Sequence, residues 1–311
     1  MNDHRSDFAG AELRTMKPWY RDMLPESRTV QRTIPWIVPS TLVAVLAVIV
    51  GRRRFDREIQ RHLDELRSDA NAPERQVFTE ADTEGLPDPV RRYFESVLAE
   101  GQAYVRTVRL DQRGQFRLGG RDGQWRPLDA TQHFSVRPPA FVWDAEIGML
   151  PLLSVHVLDL YKRHQGVLRA RLLSAIPVAS AGPSPEMNAG ELVRYLAEAV
   201  WFPTALLPAS GVEWEAIDER SARATLEHDG VSASLVFHFN EQDEVERVTT
   251  ERYRQEDDSF VPWTGRFSDY EVRNGLRVPT DAAVEWNLPE GDLRYWRANI
   301  ERIEHHTEPM G

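Results

Sequence analysis

The chain of 311 residues is 41% hydrophobic and contains nine tryptophans, a composition typical of a packed globular protein rather than a disordered one. It contains no cysteine, which excludes disulfides, thiolate nucleophiles and cysteine-ligated metals. Forty-nine acidic residues against 38 basic ones give a net charge of −11. Non-specific nucleic-acid binding needs a basic face that neutralises phosphates. The composition therefore predicts no nucleic-acid partner.

An uncharged, apolar segment lies near the start of the chain. From Ile34 to Val50 it reads IPWIVPSTLVAVLAVIV. As a helix these seventeen residues would span about 26 Å, close to the thickness of the hydrocarbon core of a bilayer. A helix of a soluble domain should show a polar face, whereas this one offers only Ser40 and Thr41. The segment therefore predicts a transmembrane helix, with a buried core helix as the alternative.

Charges flank the apolar segment on both sides. Arg52–Arg54 follow it directly and six basic residues precede it. The positive-inside rule weakly favours a C-terminal domain on the cytoplasmic side, whereas the fold resemblance described below favours the other side, so the orientation is left open. A narrow apolar stripe on the following charged helix indicates a juxtamembrane stalk and consists of Phe55, Ile59, Leu63 and Leu66. We predict a single-pass membrane protein with four parts: a polar N-terminal segment (1–33), the transmembrane helix (34–51), a charged stalk and linker (52–77) and a β domain (78–311).

Short runs of alternating apolar and polar residues begin at Ala103. Turn signals separate these runs at a spacing of roughly 8–12 residues, which is typical of consecutive strands joined by hairpins. The turn signals include Arg113-Gly114, Asp229-Gly230 and Asn274-Gly275. One amphipathic helix interrupts the pattern at Asn188–Phe202. The sequence therefore predicts an α+β protein that is mainly an antiparallel β meander with one central helix.

Four stretches carry resemblances to known families. Three of them, GLPDPVRRYF (85–94), HFSVRPPAFVW (133–143) and ELVRYLAEAVWFPTALLP (191–208), resemble an uncharacterised family of membrane-anchored prokaryotic proteins with no assigned function. The fourth, Gly265–Val284, is similar to the late strands of LolA-like lipoprotein-carrier domains. This second resemblance implies that the meander forms a curved sheet or half-barrel around an apolar cavity.

Motifs of known chemistry are missing from the sequence. It contains no HExxH, GxSxG, GxxxxGK[ST] or GxGxxG pattern, and no acidic or histidine spacing typical of a metal site. We therefore predict no metal and no cofactor. His133 lies in an aromatic-rich run and is the one candidate for a catalytic acid or base, if it faces the cavity; a core or rim histidine is the alternative.

Large aromatic residues are spread over the helix and many strands, and they are consistent with a packed core or with the lining of an apolar cavity. The candidates for ligand binding are Phe141, Trp143, Trp201, Phe202, Trp214, Phe237, Trp263 and Trp286. Arg194 and Glu198, four residues apart on the helix, form either an ordinary surface pair or a gate at the cavity mouth.

These observations support three hypotheses of different classes. The first is a membrane-anchored, non-catalytic domain that binds a membrane lipid or another hydrophobic ligand in the cavity of the curved sheet. The second is a membrane-associated hydrolase or lipid-modifying enzyme that uses His133 with a nearby carboxylate. The third is a structural or partner-binding module at the membrane.

Overall fold

The computed structural model of the chain describes residues 27–70 and 76–308, with side chains for Val43 and from Val45 onward. The chain divides into two compact units, residues 1–47 and 48–311. Within the described residues, no helix is both long and apolar enough to cross a membrane. The predicted polar segment (1–33) and most of the predicted transmembrane helix (34–51) lie outside the residues whose side chains the structure describes.

The second unit contains a single sheet of thirteen antiparallel strands among its described residues. The strands are β1 (Thr107–Leu118), β2 (Gln124–Ser135), β3 (Ala140–Leu150), β4 (Leu153–Lys162), β5 (Gln165–Leu172), β6 (Ile176–Ala181), β7 (Val212–Asp218), β8 (Ser221–His228), β9 (Val231–Phe239), β10 (Val245–Arg254), β11 (Ser259–Arg273), β12 (Leu276–Leu288) and β13 (Gly291–His306). Their spatial order is 6-5-4-3-2-1-13-12-11-10-9-8-7. The predicted antiparallel meander is confirmed, and it forms a curved, unclosed sheet.

Three turn predictions have different outcomes. Asp229-Gly230 and Asn274-Gly275 do form hairpin turns, and all four residues have positive φ, the left-handed backbone that such turns need. The predicted turn at Arg113-Gly114 is wrong, because β1 runs straight through it. Gly114 is needed there for close strand packing: a Cβ atom on it would lie 2.0 Å from the carbonyl oxygen of Arg297 on β13.

The predicted central helix joins the two edges of the sheet. The helix, α3 (Pro185–Glu198), begins after Ser184, whose Oγ accepts a hydrogen bond from the amide of Met187 at 3.1 Å. Short 3-10 turns follow it as far as Ser210. Because α3 connects the edge strands β6 and β7, it must cross the open side of the curved sheet. It contacts β4 and β5 on one side and β9 and β10 on the other, inside the curve.

A shorter helix, α2 (Asp88–Val97), packs against β8 and β12 and belongs to the same large core as α3. Tyr93 and Phe94 of this helix are fully buried, with Tyr93 against Phe239 and Phe94 against Trp214. This end of the curve is therefore filled by side chains.

The second half of the long helix α1 (Ser27–Asp69) covers part of the opposite, convex face of the sheet, at β3 and β4. The apolar stripe of this helix consists of Phe55, Ile59, Leu63 and Leu66, and these side chains are at most 6% exposed. They pack against four residues of β3 and β4: Ala140, Val142, Leu158 and Leu160. Ion pairs flank the contact, including Arg163 of the sheet with Asp69 at 2.8 Å. The segment predicted as a stalk thus forms an outer layer of the β domain.

Replacing Phe55 by alanine should lower the free energy of unfolding by about 3 to 5 kcal/mol, because a buried aromatic side chain and its contacts are lost. Urea denaturation of the purified full-length chain measures the change. Arg61→Ala on the same helix is the matched control, since its side chain is 62% exposed, and it should leave stability nearly unchanged. Equal stability of both variants would contradict the packing of this helix on the sheet.

Candidate ligand-binding cavity

A cavity of about 450 Å³ lies between the concave face of the sheet and α3. Its walls are mainly apolar and come from β1, β3 to β6, β10 to β13 and the inner side of the helix region. The apolar lining includes Phe116, Leu118, Trp143, Ile147, Val157, Leu168, Trp201, Trp263, Phe267, Tyr295 and Trp296. The sheet thus encloses space that its own side chains do not fill.

A second pocket of about 590 Å³ continues the cavity toward one end of the sheet. Both share the lining residues Phe116, Leu118, Leu168, Glu191, Arg252 and Tyr295. The outer pocket is bordered by the β1–β2 turn at Gly119, the segment before α3 at Ser184 and the β10–β11 turn at Gln255. We call this outer pocket the mouth. The two pockets are therefore neighbours that share part of one wall.

The eight aromatic residues predicted to bind ligand divide into two groups. Trp143, Trp201 and Trp263 line the cavity, and Trp286 lines the mouth, where its ring stacks on Tyr295 with centroids 5.9 Å apart. The other four lie in the packed core and do not line the cavity: Phe141, Phe202, Trp214 and Phe237. Both interpretations of the aromatic pattern therefore apply, each to half of the residues.

The packed group forms two clusters around the cavity. Phe141 and Phe202 both contact Phe134, with ring centroids 6.2 and 4.7 Å away. Trp214 packs edge-on against Phe237 at 5.1 Å. These contacts hold the helical segment against β2 and β3 at one place and build the core beside α2 at another. Their role visible in the structure is to support the cavity walls.

Charged side chains form one wall of the cavity, which we call the charged floor: Asp159, Glu191, Arg194, Glu198 and Arg252. Nη1 of Arg194 donates to Oδ2 of Asp159 at 2.6 Å, and its Nε donates to Oε1 of Glu198 at 2.9 Å. Nη2 of Arg252 donates to Oε1 of Glu191 at 2.9 Å. All five side chains are at most 16% exposed. The interpretation of Arg194 and Glu198 as a surface pair is therefore wrong.

Aromatic faces fix the two arginines of the charged floor. The guanidinium of Arg194 lies 4.8 Å from the ring centre of Phe141 and 4.9 Å from that of Trp143. The guanidinium of Arg252 lies 5.8 Å from the ring centre of Trp263. Cation–π attraction adds to the ion pairs in such a desolvated place. The charged floor is thus anchored from both sides, by α3 and by the strands.

A chain of hydrogen bonds ends at Glu198. The indole Nε1 of Trp143 donates to Oε1 of Gln112 at 2.8 Å, and Nε2 of Gln112 donates to Oε1 of Gln132 at 3.0 Å. Nε2 of Gln132 then donates to Oε2 of Glu198 at 2.6 Å. Since an indole can only donate, every donor in the chain points toward this carboxylate. Both oxygens of Glu198 are thereby occupied.

Two carboxylate oxygens of the charged floor remain without a donor. Oδ1 of Asp159 and Oε2 of Glu191 are buried and accept no hydrogen bond from any residue that the structure describes. Burial, together with the nearby charge of Glu191, raises the pKa of Asp159 well above its ordinary value, although Arg194 and Arg252 act in the opposite direction. Burial likewise raises the pKa of Glu198.

His133 does not line the cavity. On β2 the side chains of Gln132 and Phe134 are turned inward, so the imidazole between them lies on the convex side of the sheet. Burial, Arg67 and Arg109 lower its pKa to about 4, so the ring is neutral at neutral pH. The described residues also contain no cluster of three or more histidine, aspartate or glutamate side chains that could hold a metal.

The charged floor was predicted only in part, since Arg194 and Glu198 were singled out as a surface pair or a gate, whereas Asp159, Glu191 and Arg252 were not. Its best signal was Asp159, a charged residue inside the apolar run VLDLY and in phase with the inward-facing Val155 and Val157. Glu191 and Arg252 left no such signal, because a charged residue near the start of a helix or on a strand is ordinary. Three further lining residues were not predicted: Phe116, Tyr295 and Trp296. The strands that carry them, β1 and β13, lie far apart in the sequence and meet only in the sheet, where Phe116 pairs with Trp296.

A family profile matches residues 84–305, a range that includes the whole cavity. The chain belongs to a family of unknown function, DUF6920. The predicted membership of an uncharacterised family is thereby confirmed. No curated protein sequence matches the chain.

Solved structures give distant similarities. A DUF1329 family protein from Desulfovibrio piger is 12% identical with a TM-score of 0.37, and 70% of this chain and 90% of that chain are covered. A LolA superfamily protein from Nitrosomonas europaea is 11% identical with a TM-score of 0.36, and the match covers 71% of this chain and 93% of that chain. A β-barrel-like DUF1849 protein from Brucella abortus is 7% identical with a TM-score of 0.22, and the match covers 65% of this chain and 99% of that chain.

Replacing Arg194 by alanine should lower the free energy of unfolding by about 3 to 5 kcal/mol, because Asp159 and Glu198 would stay buried without their cation. Urea denaturation of the full-length chain measures this. Arg92→Ala is the matched control: its pair with Asp243 is 37% and 34% exposed, so about 1 kcal/mol or less is expected. A loss at Arg194 no larger than the loss at Arg92 would contradict the burial of the charged floor.

Proposed function

We propose that the β domain is a binding domain for a lipid or another hydrophobic ligand, held in the cavity of the curved sheet, and that the apolar segment 34–51 anchors the chain in a membrane. The observation that carries the first part is the cavity itself. Its volume of about 450 Å³ lies within the usual range for ligand pockets. Its lining is mainly apolar, with a few polar groups at one wall, as in typical small-molecule sites.

The shape of the space supports an elongated ligand. The cavity adjoins the mouth, and six residues line both. A chain-like molecule could therefore lie with one end in the cavity and the other end in the mouth, near solvent. The stacked pair Trp286 and Tyr295 borders this path and offers a broad apolar surface. An apolar void that stays empty costs stability, because the atoms that line it lose their contact partners. A hydrophobic ligand restores those contacts.

The same geometry favours binding over the enzymatic alternative. The candidate acid or base of that alternative, His133, lies on the convex face of the sheet and does not line the cavity. The charged floor uses its arginines in ion pairs with its own carboxylates. We therefore do not propose a reaction.

Filling the cavity should abolish ligand binding. Ala197 on α3 lines the cavity and is 1% exposed, so Ala197→Phe places a ring in the space of the ligand. Diphenylhexatriene, an uncharged hydrocarbon that fluoresces in apolar surroundings, is the probe. Its affinity for the full-length protein should fall at least tenfold in this variant.

Ala99→Phe is the matched control for the cavity-filling variant. Ala99 is exposed in the turn after α2 and lines no part of the cavity, so probe affinity should not change. Circular dichroism checks that each variant is folded, since overpacking can destabilise a core. Ala170→Leu on β5 is a second filling variant if Ala197→Phe does not fold. Unchanged probe binding in a folded filling variant would overturn the proposed site.

The anchor has its own test. We expect the full-length chain to stay with the membrane fraction after an alkaline carbonate wash, which removes peripheral proteins. Deletion of residues 34–50 should release the protein into the soluble fraction, because the uncharged apolar segment is lost. Deletion of residues 2–22 is the control and should leave the protein in the membrane fraction. A full-length chain that the wash removes would contradict the anchor.

A further inference from the structure

The charged floor of the cavity holds more acidic than basic groups. Three carboxyl groups (Asp159, Glu191 and Glu198) face two guanidinium groups (Arg194 and Arg252). When all five are ionised, one negative charge remains in a wall that is largely shielded from water. A buried charge without a partner is costly: without a bound ligand a proton removes it, in line with the raised pKa of Asp159, and a cationic ligand would take the place of that proton.

The excess charge coincides with unused hydrogen-bond acceptors. Oδ1 of Asp159 and Oε2 of Glu191 have no donor among the described residues, and their side chains are 8% and 5% exposed. A buried acceptor without a donor costs about 1 to 3 kcal/mol. Both side chains line the same cavity, and the charge of Glu191 contributes, after burial, to the raised pKa of Asp159. One donor group in the cavity could therefore serve both.

The arginines of the floor are already used. Arg194 donates to Asp159 and Glu198 while its flat face lies over aromatic rings, and Arg252 donates to Glu191 over Trp263. An anionic head group such as a carboxylate or phosphate would have to displace one of these carboxylates and would meet the excess negative charge. A head group that donates hydrogen bonds and carries one positive charge meets neither obstacle.

We propose that the cavity selects a single-chain apolar amine, whose primary ammonium group donates hydrogen bonds to Asp159 and Glu191 while its tail lies among the cavity tryptophans. This inference rests on the proposed binding function and adds the class of ligand. A primary ammonium has three donors and one charge, which matches two free acceptors and one excess carboxylate. An alcohol matches the acceptors in part and supplies no counter-charge.

Displacement of diphenylhexatriene from the full-length protein tests the proposal. The competitors share a dodecyl chain and are used below their micelle concentrations at neutral pH: dodecylamine, dodecanol, dodecyltrimethylammonium and dodecanoate. We expect dodecylamine to bind at least tenfold more tightly than dodecanoate and more tightly than dodecanol. The affinity for dodecylamine should also exceed the affinity for dodecyltrimethylammonium, which carries the charge but has no N–H donor.

Two isosteric variants locate the head group. Asp159→Asn and Glu191→Gln remove a negative charge each and keep the size of the side chain, so the ratio of the affinities for dodecylamine and dodecanol should fall at least fivefold in each. Glu95→Gln, on the exposed side of α2, is the matched control and should leave that ratio unchanged. If one variant does not fold, the other variant and the series of competitors on the native chain still test whether the charged floor binds the ammonium group.

The outcomes separate this inference from the proposed function. If the hydrocarbon probe binds and dodecanoate or dodecanol competes as well as dodecylamine, the head-group inference is overturned and the binding function stands. If the preference for the amine persists in both Asp159→Asn and Glu191→Gln, the charged floor is not its origin and the inference also fails. If neither the probe nor any competitor binds, both proposals are overturned.

Discussion

The pairing of the first strand with the last is the constraint on which the rest of the structure depends. β1 and β13 lie side by side at the middle of the sheet, so the hairpins of the first half extend to one edge and those of the second half to the other. The consecutive strands β6 and β7 become the two opposite edges. The chain between them must cross the open side of the curve, and α3 is the result. Gly114 permits the pairing, since a Cβ atom there would collide with Arg297.

The crossing helix explains both the cavity and its charged wall. α3 touches strands from both halves of the sheet, and Arg194 on its inner side reaches Asp159 of β4. Arg252 of β10 reaches back to Glu191 of the helix. These ion pairs are buried, so their strength reflects geometry and not charge alone, and removal of one partner is costly. They hold the helix across the sheet, while the space beside it stays open and apolar. A buried ion network and the apolar cavity thus share the same residues.

The family carries no assigned function, so the functional argument depends on the site. Its elements are an apolar space of suitable size, a mouth that shares part of its lining, and two acceptors in an acidic wall that have no donor among the described residues. None of these follows from the fold alone. The helix α1 adds a further connection, because its apolar stripe is buried on the convex face and ties the segment after residue 51 to the β domain.

The sequence by itself determined the elements that depend on local chemistry. Alternation of apolar residues gave the strands, Asp229-Gly230 and Asn274-Gly275 gave two hairpin turns, and helical spacing gave α3. The acidic, cysteine-free composition and the family resemblance were also visible there. Tertiary structure alone decided that Gly114 is a packing residue rather than a turn, that Arg194 is buried, and that four of eight aromatic candidates line the cavity or its mouth. The physical reason is that the alternation along a strand tells only which side chains share a face of the sheet. Core residues and cavity residues share the same, concave face. Only the pairing of distant strands decides which of these side chains pack together and which border the open space.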